Sequence, residues 1–319
     1  MDSKKNSRLL TKVAVLYFEN SLSHQEIAER LGLSRQTVGR LLRRAKEAGI
    51  VRIEVHSPSL YASELEFELE QAFQLLEVIV ISPPTTDDEA VKRTIGRAGA
   101  EFLQRRVRNK DIIGVSAGST TMYQCAVRLK PAHLPELTVV SLNGDGPHSE
   151  IPAHLGSIAH RMGSALGGKT IVLPAPTFVD RVEIKESLLS DSNIAEIIQL
   201  AYQANVAVVG IGAISEKASP YQHGFVDQRL LETLKREHCV GEICGHAYNL
   251  DGELCSPELS GRAVGIDLTS LRSKPLSVAL AGGRHKLDAI WGALQGRYCN
   301  VLITDEDTAR ALLKRKTGA

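Results

Sequence analysis

Short apolar runs alternate with amphipathic stretches along most of the chain. The apolar runs span residues 77–82, 111–116, 137–142, 170–175, 206–212, 276–283 and 300–304. Helical spacing of apolar positions fills the intervals, over residues 88–107, 120–130, 153–166, 191–204, 226–237, 285–295 and 305–314. Uniformly apolar strands separated by helices are typical of a parallel sheet that is covered on both faces. The pattern therefore predicts the α/β fold class, with a Rossmann-like, mainly parallel domain over residues 77–319.

The N-terminal region has a helical pattern of its own. Ser23 and Glu26 form an S-x-x-E capping box, which starts a helix, and Gly32 suits the left-handed turn that ends it. Ser34 then caps a second helix at helix-turn-helix spacing. The apolar positions that form the predicted core are Leu9, Val13, Leu16, Tyr17, Ile27, Ala28, Leu31, Val38, Leu41 and Leu42. Residues 51–55 alternate in polarity like a short strand, so we predict a winged helix-turn-helix domain.

Charge and residue type indicate what this domain binds. Residues 1–56 hold 11 Lys/Arg and 6 Asp/Glu residues, a net charge of +5, whereas the rest of the chain carries −4. A basic module on a mildly acidic body is typical of a protein that meets a polyanion at one end. The start of a recognition helix reads base edges, and later basic residues contact phosphates. The predicted contacts with double-stranded operator DNA are Ser34, Arg35, Gln36, Thr37, Arg40, Arg43 and Arg44.

A His-Ser-Pro-Ser break at residues 56–59 ends the DNA-binding domain, which we predict over residues 1–57. Residues 58–76 then form a predicted linker helix, with apolar positions at Leu65, Leu69, Phe73 and Leu76. This helix either pairs with its copy in a dimer or packs on the larger domain. Dimerisation is favoured because helix-turn-helix proteins commonly bind paired half-sites.

Three predicted strands end in glycine-containing turns, in the sequences GVSAGSTT, VVGIGAIS and ALAGGRHK. Ligands of open parallel sheets bind beyond the carboxyl ends of the strands. Turn amides, hydroxyls and one lysine are the groups that a phosphate ester needs. The sequence therefore predicts a phosphosugar-type site. Its residues in these turns are Ser116, Gly118, Ser119, Thr120, Thr121, Gly210, Gly212, Gly282, Gly283 and Lys286.

Three other interpretations of these turns are weaker. GVSAG matches the G-x-S-x-G turn of a hydrolase nucleophile, but too little sheet precedes Ser116 for that fold. VVGIGAIS lacks the third glycine of a dinucleotide-binding turn. An active phosphosugar isomerase or deaminase needs a placed acid and base, and no spacing selects a pair. The candidates for such a pair are His148, Glu150, Glu242 and Asp251.

Cysteine usage and hydropathy limit the remaining classes. Five cysteines, an odd number without a C-x-x-C pair, do not indicate a disulfide framework. A zinc site is the alternative to buried thiols, but no standard zinc spacing joins His238, Cys239, Cys244, His246 and Cys255. We therefore expect neither a metal nor a cofactor. The chain has no apolar run long enough to span a bilayer and no signal peptide, so we expect a cytoplasmic protein.

Five segments together resemble the SorC family of bacterial sugar-sensing transcriptional regulators, over almost the whole chain. They are LSHQEIAERLGLSRQTVGRLLRRAKEAGIVRIEV, IGVSAGSTT, VVGIGAIS, GEICGHAYNLDG and AGGRHKLDAI. The resemblance implies a C-terminal domain that has the fold of sugar-phosphate isomerases and deaminases but is not an enzyme. It also implies a phosphorylated sugar or sugar-alcohol effector that controls DNA affinity, and a homo-oligomer built as a dimer of dimers.

The resemblance assigns roles to particular residues. The loop GVSAGSTT and Lys286 hold the phosphate, and Glu242 contacts sugar hydroxyls. In the deoxyribonucleoside branch of the family, a lysine near the motif matching VVSLNGDG forms a Schiff base with the effector. Asn143 stands there in this chain, so no imine is expected. Asn143 and Asp145 are predicted to bond to effector hydroxyls, although N-G-D-G also favours a simple turn.

Overall fold

The chain divides into two compact units, Met1–Leu60 and Tyr61–Ala319. The computed structural model describes residues 2–51, 60–145, 155–216 and 227–318. The wing predicted at residues 51–55 lies outside these ranges from residue 52 onward, as does the 56–59 linker. Each unit has its own hydrophobic core, so each is described by itself.

The first unit consists of three helices joined by the predicted caps. The helices are α1 (Asp2–Phe18), α2 (His24–Leu31) and α3 (Arg35–Glu47). The Ser23 amide donates to Glu26 Oε2 at 2.7 Å, and the Glu26 amide donates to Ser23 Oγ at 3.3 Å, which confirms the capping box. Gly32 ends α2 in the left-handed conformation, with φ of +65°. Ser34 then caps α3, accepting from the Thr37 amide at 3.1 Å.

The core of the first unit follows the predicted pattern with one error. Its buried members are Leu10, Val13, Ala14, Leu16, Ile27, Ala28, Val38, Leu41, Leu42 and Ala45. Leu9 and Leu31 are partly buried against it. Tyr17 was predicted in the core but is exposed. It stands on the last turn of α1, where its ring packs edge-on against Phe18 and contacts His24 at the surface.

A seven-stranded sheet, parallel throughout, forms the centre of the second unit. The strands are β1 (Glu77–Ile81), β2 (Ile112–Val115), β3 (Thr138–Ser141), β4 (Lys169–Ile171), β5 (Val206–Gly210), β9 (Leu276–Leu280) and β10 (Val301–Asp305), in the order β1-β10-β9-β5-β2-β3-β4. This arrangement confirms the predicted fold class. Strand β4 is shorter than predicted, since the Leu173 amide bonds to Ser141 Oγ at 3.1 Å.

Helices cover both faces of this sheet. One face packs against α5 (Asp88–Arg106), α6 (Thr120–Ala126) and α7 (Leu155–Leu166). The other packs against α4 (Leu60–Phe73), α9 (Ser192–Gln203), α12 (Leu287–Gln295) and α13 (Glu306–Thr317). The remaining helices are α8 (Val182–Ser190), α10 (Gln228–Arg236) and α11 (Pro257–Arg262). No helix among the described residues is long and apolar enough to span a membrane.

A small antiparallel sheet was not predicted. It consists of β6 (Gly212–Ala213), β7 (Gly241–Ile243) and β8 (His246–Tyr248). Each strand has only two or three residues, too few to show an alternating pattern in the sequence. This sheet matters for the site because its central strand carries Glu242.

Helix α4 packs on its own unit, which was the alternative to pairing with a copy. Leu65 and Leu69 are buried in the core beneath it. The carboxylates of Glu66 and Glu70 accept hydrogen bonds from the amides of Val80 and Val78, both at 2.9 Å. These amides lie on the free edge of β1, so α4 satisfies groups that an open edge would expose. Leu76 was predicted on this stripe but lies beyond the helix and is exposed.

Two cysteines form a pair, contrary to the sequence prediction. Cys239 and Cys255 are disulfide-bonded, with their Cα atoms 6.1 Å apart. The antiparallel strands β7 and β8 lie between them in sequence and bring them together. Cys125, Cys244 and Cys299 are free and buried. The described residues contain no group of three or more His, Cys, Asp or Glu side chains placed to bind a metal.

Candidate functional site

The order of the strands creates a switch point beside β2. From β2 the chain continues to β3 and β4 on one side, and then returns to β5, β9 and β10 on the other. Open α/β sheets bind ligands outside the carboxyl ends of the strands where the direction reverses. The turns after β2 and β5 flank this crevice, and β9 is the next neighbour of β5. The three glycine turns predicted from sequence therefore follow three adjacent strands.

The turn after β2 presents its backbone and hydroxyl groups at the crevice. Gly118 has a φ of +74°, which glycine adopts without strain. Ser119 then caps α6, its Oγ accepting from the Met122 amide at 3.3 Å. Gly118, Ser119 and Thr120 are half-buried, so their polar groups are accessible to a ligand. Thr121 is buried in the first turn of α6 and contributes less exposed surface.

Ser116 and Asn143 shape this turn from beneath. Ser116 is 2% exposed, and its Oγ accepts from the Gly210 amide at 3.1 Å, which joins β2 to β5. Asn143 is equally buried; its Oδ1 accepts from the Ala117 amide and its Nδ2 donates to the Gly144 carbonyl, both at 3.0 Å. These bonds give both side chains a role in positioning the turn, and their contact with the effector stays a prediction. No described histidine bonds to Ser116, so the hydrolase interpretation has no base.

The turn after β5 approaches the first turn closely. A Cβ on Gly210 would lie 2.6 Å from the Cβ of Ser119, so this position accepts only glycine without a shift of Ser119. Gly212 opens β6 and pairs with Glu242 across the small sheet. A dinucleotide-binding turn leads into a helix, whereas this G-x-G turn leads into a strand. The nucleotide interpretation therefore fails here.

The turn after β9 carries the lysine. Gly282 approaches Ile95 closely, and Gly283 has a φ of +95°. The Gly283 amide donates to Asp305 Oδ2 at 2.6 Å and to Thr308 Oγ1 at 3.0 Å. Sequence reasoning missed this anchor, although Asp305 is the charged last residue of the otherwise apolar strand β10.

Lys286 reaches from this turn to the neighbouring one. It closes a short 3₁₀ segment, Arg284–Lys286, and its Nζ donates to the Ile211 carbonyl at 2.9 Å. Ile211 lies between Gly210 and Gly212. Lys286 and Ser119 therefore both contact the chain at the end of β5, at Ile211 and Gly210 respectively.

Burial sets the charge properties of this lysine. Removal from water lowers the pKa of Lys286 to about 8, with Asp88 and Glu242 opposing the shift and Lys92 reinforcing it. Burial likewise raises the pKa of Glu242, while the Gly245 amide, which donates to its Oε1 at 2.6 Å, and Lys286 lower it. A buried ammonium, which is costly to keep charged, gains from a bound anion.

Of the remaining candidates, the structure describes Asp145 and Asp251. Asp145 is half-buried after β3, where its amide donates to the Ala175 carbonyl at 2.9 Å. His148 and Glu150 lie outside the described residues. Asp251 is exposed in the turn after β8, with its amide bonded to Asn249 Oδ1. Among the described residues, Glu242 and Asp251 are therefore not arranged as an acid and base pair.

Helix α3 presents a basic face in the first unit. Arg35, Gln36, Arg40, Arg43 and Arg44 are all exposed, and no carboxylate of the described residues lies within ion-pair distance of the four arginines. Gln36, Arg40 and Arg43, at spacings of four and three, stand opposite the buried positions of the helix.

Ser34 and Thr37 bond to each other at the start of this helix. Their hydroxyl oxygens are 2.8 Å apart, and Ser34 accepts from the Thr37 amide. These bonds cap α3, so the structure gives the pair a structural role at the end of the helix that would enter a groove.

Comparison with known proteins matches both units. The Sugar-bind family of sugar-binding domains matches residues 58–314, and sigma-70 region 4 matches residues 12–48. The chain is 37% identical over 313 residues to the deoxyribonucleoside regulator of Bacillus subtilis strain 168, covering 98% of this chain and 99% of that protein. It is 30% identical over 321 residues to the sorbitol operon regulator of Klebsiella pneumoniae, covering 98% and 100%.

A solved structure supports the same conclusion over both units. The crystal structure of the full-length sorbitol operon regulator SorC from Klebsiella pneumoniae matches with a TM-score of 0.75 at 29% identity, covering 97% of this chain and 100% of that one. The relatives named here are transcriptional regulators, not enzymes. A DNA-binding helix-turn-helix followed by a sugar-binding α/β domain is the arrangement that this chain shares with them. The chain belongs to the SorC family of sugar-sensing bacterial transcriptional regulators.

Proposed function

We propose that the effector of this regulator is a phosphorylated sugar or sugar alcohol, bound beyond the carboxyl ends of β2, β5 and β9. The observation that carries this proposal is that two side chains from separate turns contact consecutive residues at the end of β5. Ser119 contacts Gly210, and Lys286 Nζ bonds to Ile211 at 2.9 Å. Amides, hydroxyls and a lysine that converge from separate strands match the charge and acceptor number of a phosphate.

The sugar end of the effector is assigned to Glu242. Its strand pairs with Gly212, which follows the phosphate-side turn by two residues, so both ends of a small ligand are within reach. One carboxylate oxygen already accepts from the Gly245 amide, which fixes its orientation. The other is available to accept from ligand hydroxyls, and a buried carboxylate gains from each such bond.

We assign the recognition of operator DNA to helix α3. Gln36 and Arg40 read base edges in the major groove, and Arg35, Arg43 and Arg44 contact operator phosphates. We also propose a cytoplasmic homo-oligomer, a dimer of dimers that spans paired half-sites. Because Leu65 and Leu69 pack within their own unit, the contacts between copies lie elsewhere than on these two leucines.

Effector affinity is expected to fall as pH rises above the pKa of Lys286, which is about 8. A phosphate dianion stabilises the ammonium and raises this pKa, so binding above that pH must take up a proton. The loss approaches about tenfold per pH unit once the free lysine is neutral. Isothermal titration calorimetry from pH 7 to pH 10 measures how the affinity for the effector changes with pH. The phosphate itself stays dianionic over this range, since its second pKa is about 6. A wild-type profile as flat as that of Lys286→Gln would contradict the assignment.

Gly210→Ala is expected to destabilise the second unit by about 1–3 kcal/mol, because the added methyl overlaps Ser119 in a packed turn. Urea unfolding followed by circular dichroism measures the change. Gly261→Ala is the matched control, since its Cβ would meet only Val182 Cγ2, at 3.3 Å. Equal unfolding midpoints for the two variants would show that the close approach of the two turns is absent.

A thermal-shift screen tests the proposed effector class directly. The full chain is heated with a panel of sugar and polyol phosphates, each beside its unphosphorylated parent. A ligand that binds only the native state raises the unfolding temperature. We expect at least one phosphorylated compound to stabilise the protein and its parent to have little effect. If the unphosphorylated parents stabilised the protein as much as the phosphates did, a sugar site would still be supported, but the assignment of a phosphorylated effector would be contradicted.

A further inference from the structure

We propose that Cys239 and Cys255 form a reversible redox site, open in reducing conditions and closed to a disulfide by a hydroperoxide. The two sulfurs are bonded, and the Cα separation of 6.1 Å lies within the normal range for a disulfide. Neither residue belongs to the effector site or to the DNA-binding helix. The disulfide chemistry is independent of the proposed function; only the compartment in which it operates rests on it.

The backbone holds the two cysteines together whether or not the bond is present. The Cys255 amide donates to the Ala247 carbonyl at 3.0 Å, and the Val240 amide donates to the Tyr248 carbonyl at 2.9 Å. The Cys239 amide is bonded in turn to the Leu234 carbonyl at 2.9 Å. Reduction therefore leaves the thiols adjacent and able to close again, which is the requirement for reversibility.

A conditional disulfide suits a regulator that binds DNA. Proteins that act on bacterial DNA work in a compartment where thiol systems keep cysteines reduced. In that compartment the bond forms only when an oxidant outpaces reduction, and it reopens afterwards.

Accessibility separates Cys255 from the other four cysteines. Cys125, Cys244 and Cys299 are buried, and burial raises the pKa of Cys125 and of Cys299 to about 12, so their reactive thiolates are scarce. Cys255 is half-buried and so reachable by a small oxidant, while Cys239 behind it is buried. Cys255 is therefore the residue attacked first, and Cys239 is the resolving thiol.

The reaction balances in two steps. The Cys255 thiolate attacks the peroxide oxygen and breaks the O–O bond, which releases an alcohol or water and leaves a sulfenic acid. The Cys239 thiolate then attacks the sulfenic sulfur, forming the S–S bond and releasing water. The two thiols lose two electrons in total, the peroxide gains them, and the thiol protons end on the released oxygens.

Closing the bond constrains the strands that carry Glu242. The cysteines are 16 residues apart and enclose all of β7 and β8. A cross-link removes open conformations of the enclosed segment. Oxidation is therefore expected to hold Glu242 more firmly in place, and reduction to loosen it.

Differential alkylation and hydrogen exchange on the full chain test this proposal. Hydrogen peroxide is expected to yield a cross-linked peptide containing Cys239 and Cys255, with the other three cysteines still alkylated as thiols after unfolding. Dithiothreitol on the folded protein is expected to restore both thiols. Amide exchange in peptides spanning residues 239–255 is expected to slow severalfold on oxidation in wild type, and not in Cys239→Ser or Cys255→Ser.

Cys299→Ser, which removes a buried thiol elsewhere in the domain, is the matched control and should behave as wild type. Three results would overturn the proposal: both thiols still alkylated after peroxide, a bond that excess dithiothreitol leaves intact in the folded protein, or exchange unchanged by oxidation. None of these measurements involves DNA or a sugar, so their failure is distinct from failure of the proposed effector. Either Cys239→Ser or Cys255→Ser alone removes the disulfide, so the test can still be made if one of the two variants does not fold.

Discussion

Lys286→Gln is expected to weaken binding of the phosphorylated effector by about 10- to 150-fold. The glutamine keeps a hydrogen-bond donor but removes the charge that we propose contacts the phosphate, and a hydrogen bond to a charged group is worth about 1.5–3 kcal/mol. Isothermal titration at pH 7 measures the change, because there the lysine, with a pKa of about 8, is largely protonated.

Two comparisons separate a phosphate role from general damage. The unphosphorylated parent compound should lose little affinity in the same variant. Lys92→Gln is the matched control: Lys92 is a nearby cation, but it already pairs with Asp88 at 2.6 Å and Glu89 at 3.1 Å. It should change affinity by less than about threefold, the scale of a partly exposed pair. If Lys286→Gln lost affinity equally for the phosphorylated compound and for its parent, the proposal that Lys286 binds the phosphate would be wrong.

Gln36→Ala and Arg40→Ala are each expected to weaken binding to the specific operator by about 5- to 150-fold. Both side chains are exposed on the face of α3 opposite its core, the face that we propose reads base edges. A bidentate base contact discriminates by about 1–3 kcal/mol. Fluorescence anisotropy with operator and with unrelated DNA measures the loss, which should fall on the operator alone. Effector binding should be unchanged.

Arg30→Ala supplies the matched control for these variants. Arg30 is an exposed arginine on the last turn of α2, outside the recognition helix. Its loss removes one unit of charge and should weaken specific and non-specific DNA by a similar, small factor. Selectivity that survives in both Gln36→Ala and Arg40→Ala would show that another element reads the operator.

Much of this account could be predicted from local sequence pattern. The capping box at Ser23 and Glu26, the turn at Gly32 and the cap at Ser34 depend on residues a few positions apart, so the sequence shows them directly. The seven parallel strands were also predictable, because each is an apolar run bounded by helices. The three glycine turns follow from the rule that ligands meet strand ends.

Features that depend on distant residues could not be predicted. The sequence places Ser116 in a phosphate-binding turn but does not show that its Oγ accepts from the Gly210 amide on another strand. Asp305 holds the Gly283 amide from a strand that comes later in the chain. Cys239 and Cys255 are joined through strands too short to recognise, so their count and spacing misled the prediction. Each of these contacts is created only by the folded topology.

We propose that one phosphorylated ligand, bound at the site that contains Lys286, controls the affinity of the protein for operator DNA. The most direct test of this proposal is an anisotropy titration of labelled operator DNA with the full chain, with and without the sugar phosphate that stabilises it most in the thermal screen. We expect this ligand to change operator affinity at least about fivefold in wild type. At the same ligand concentration, Lys286→Gln should show operator affinity close to that of the ligand-free protein. Operator affinity unchanged by every sugar phosphate that binds the wild-type protein would contradict the account.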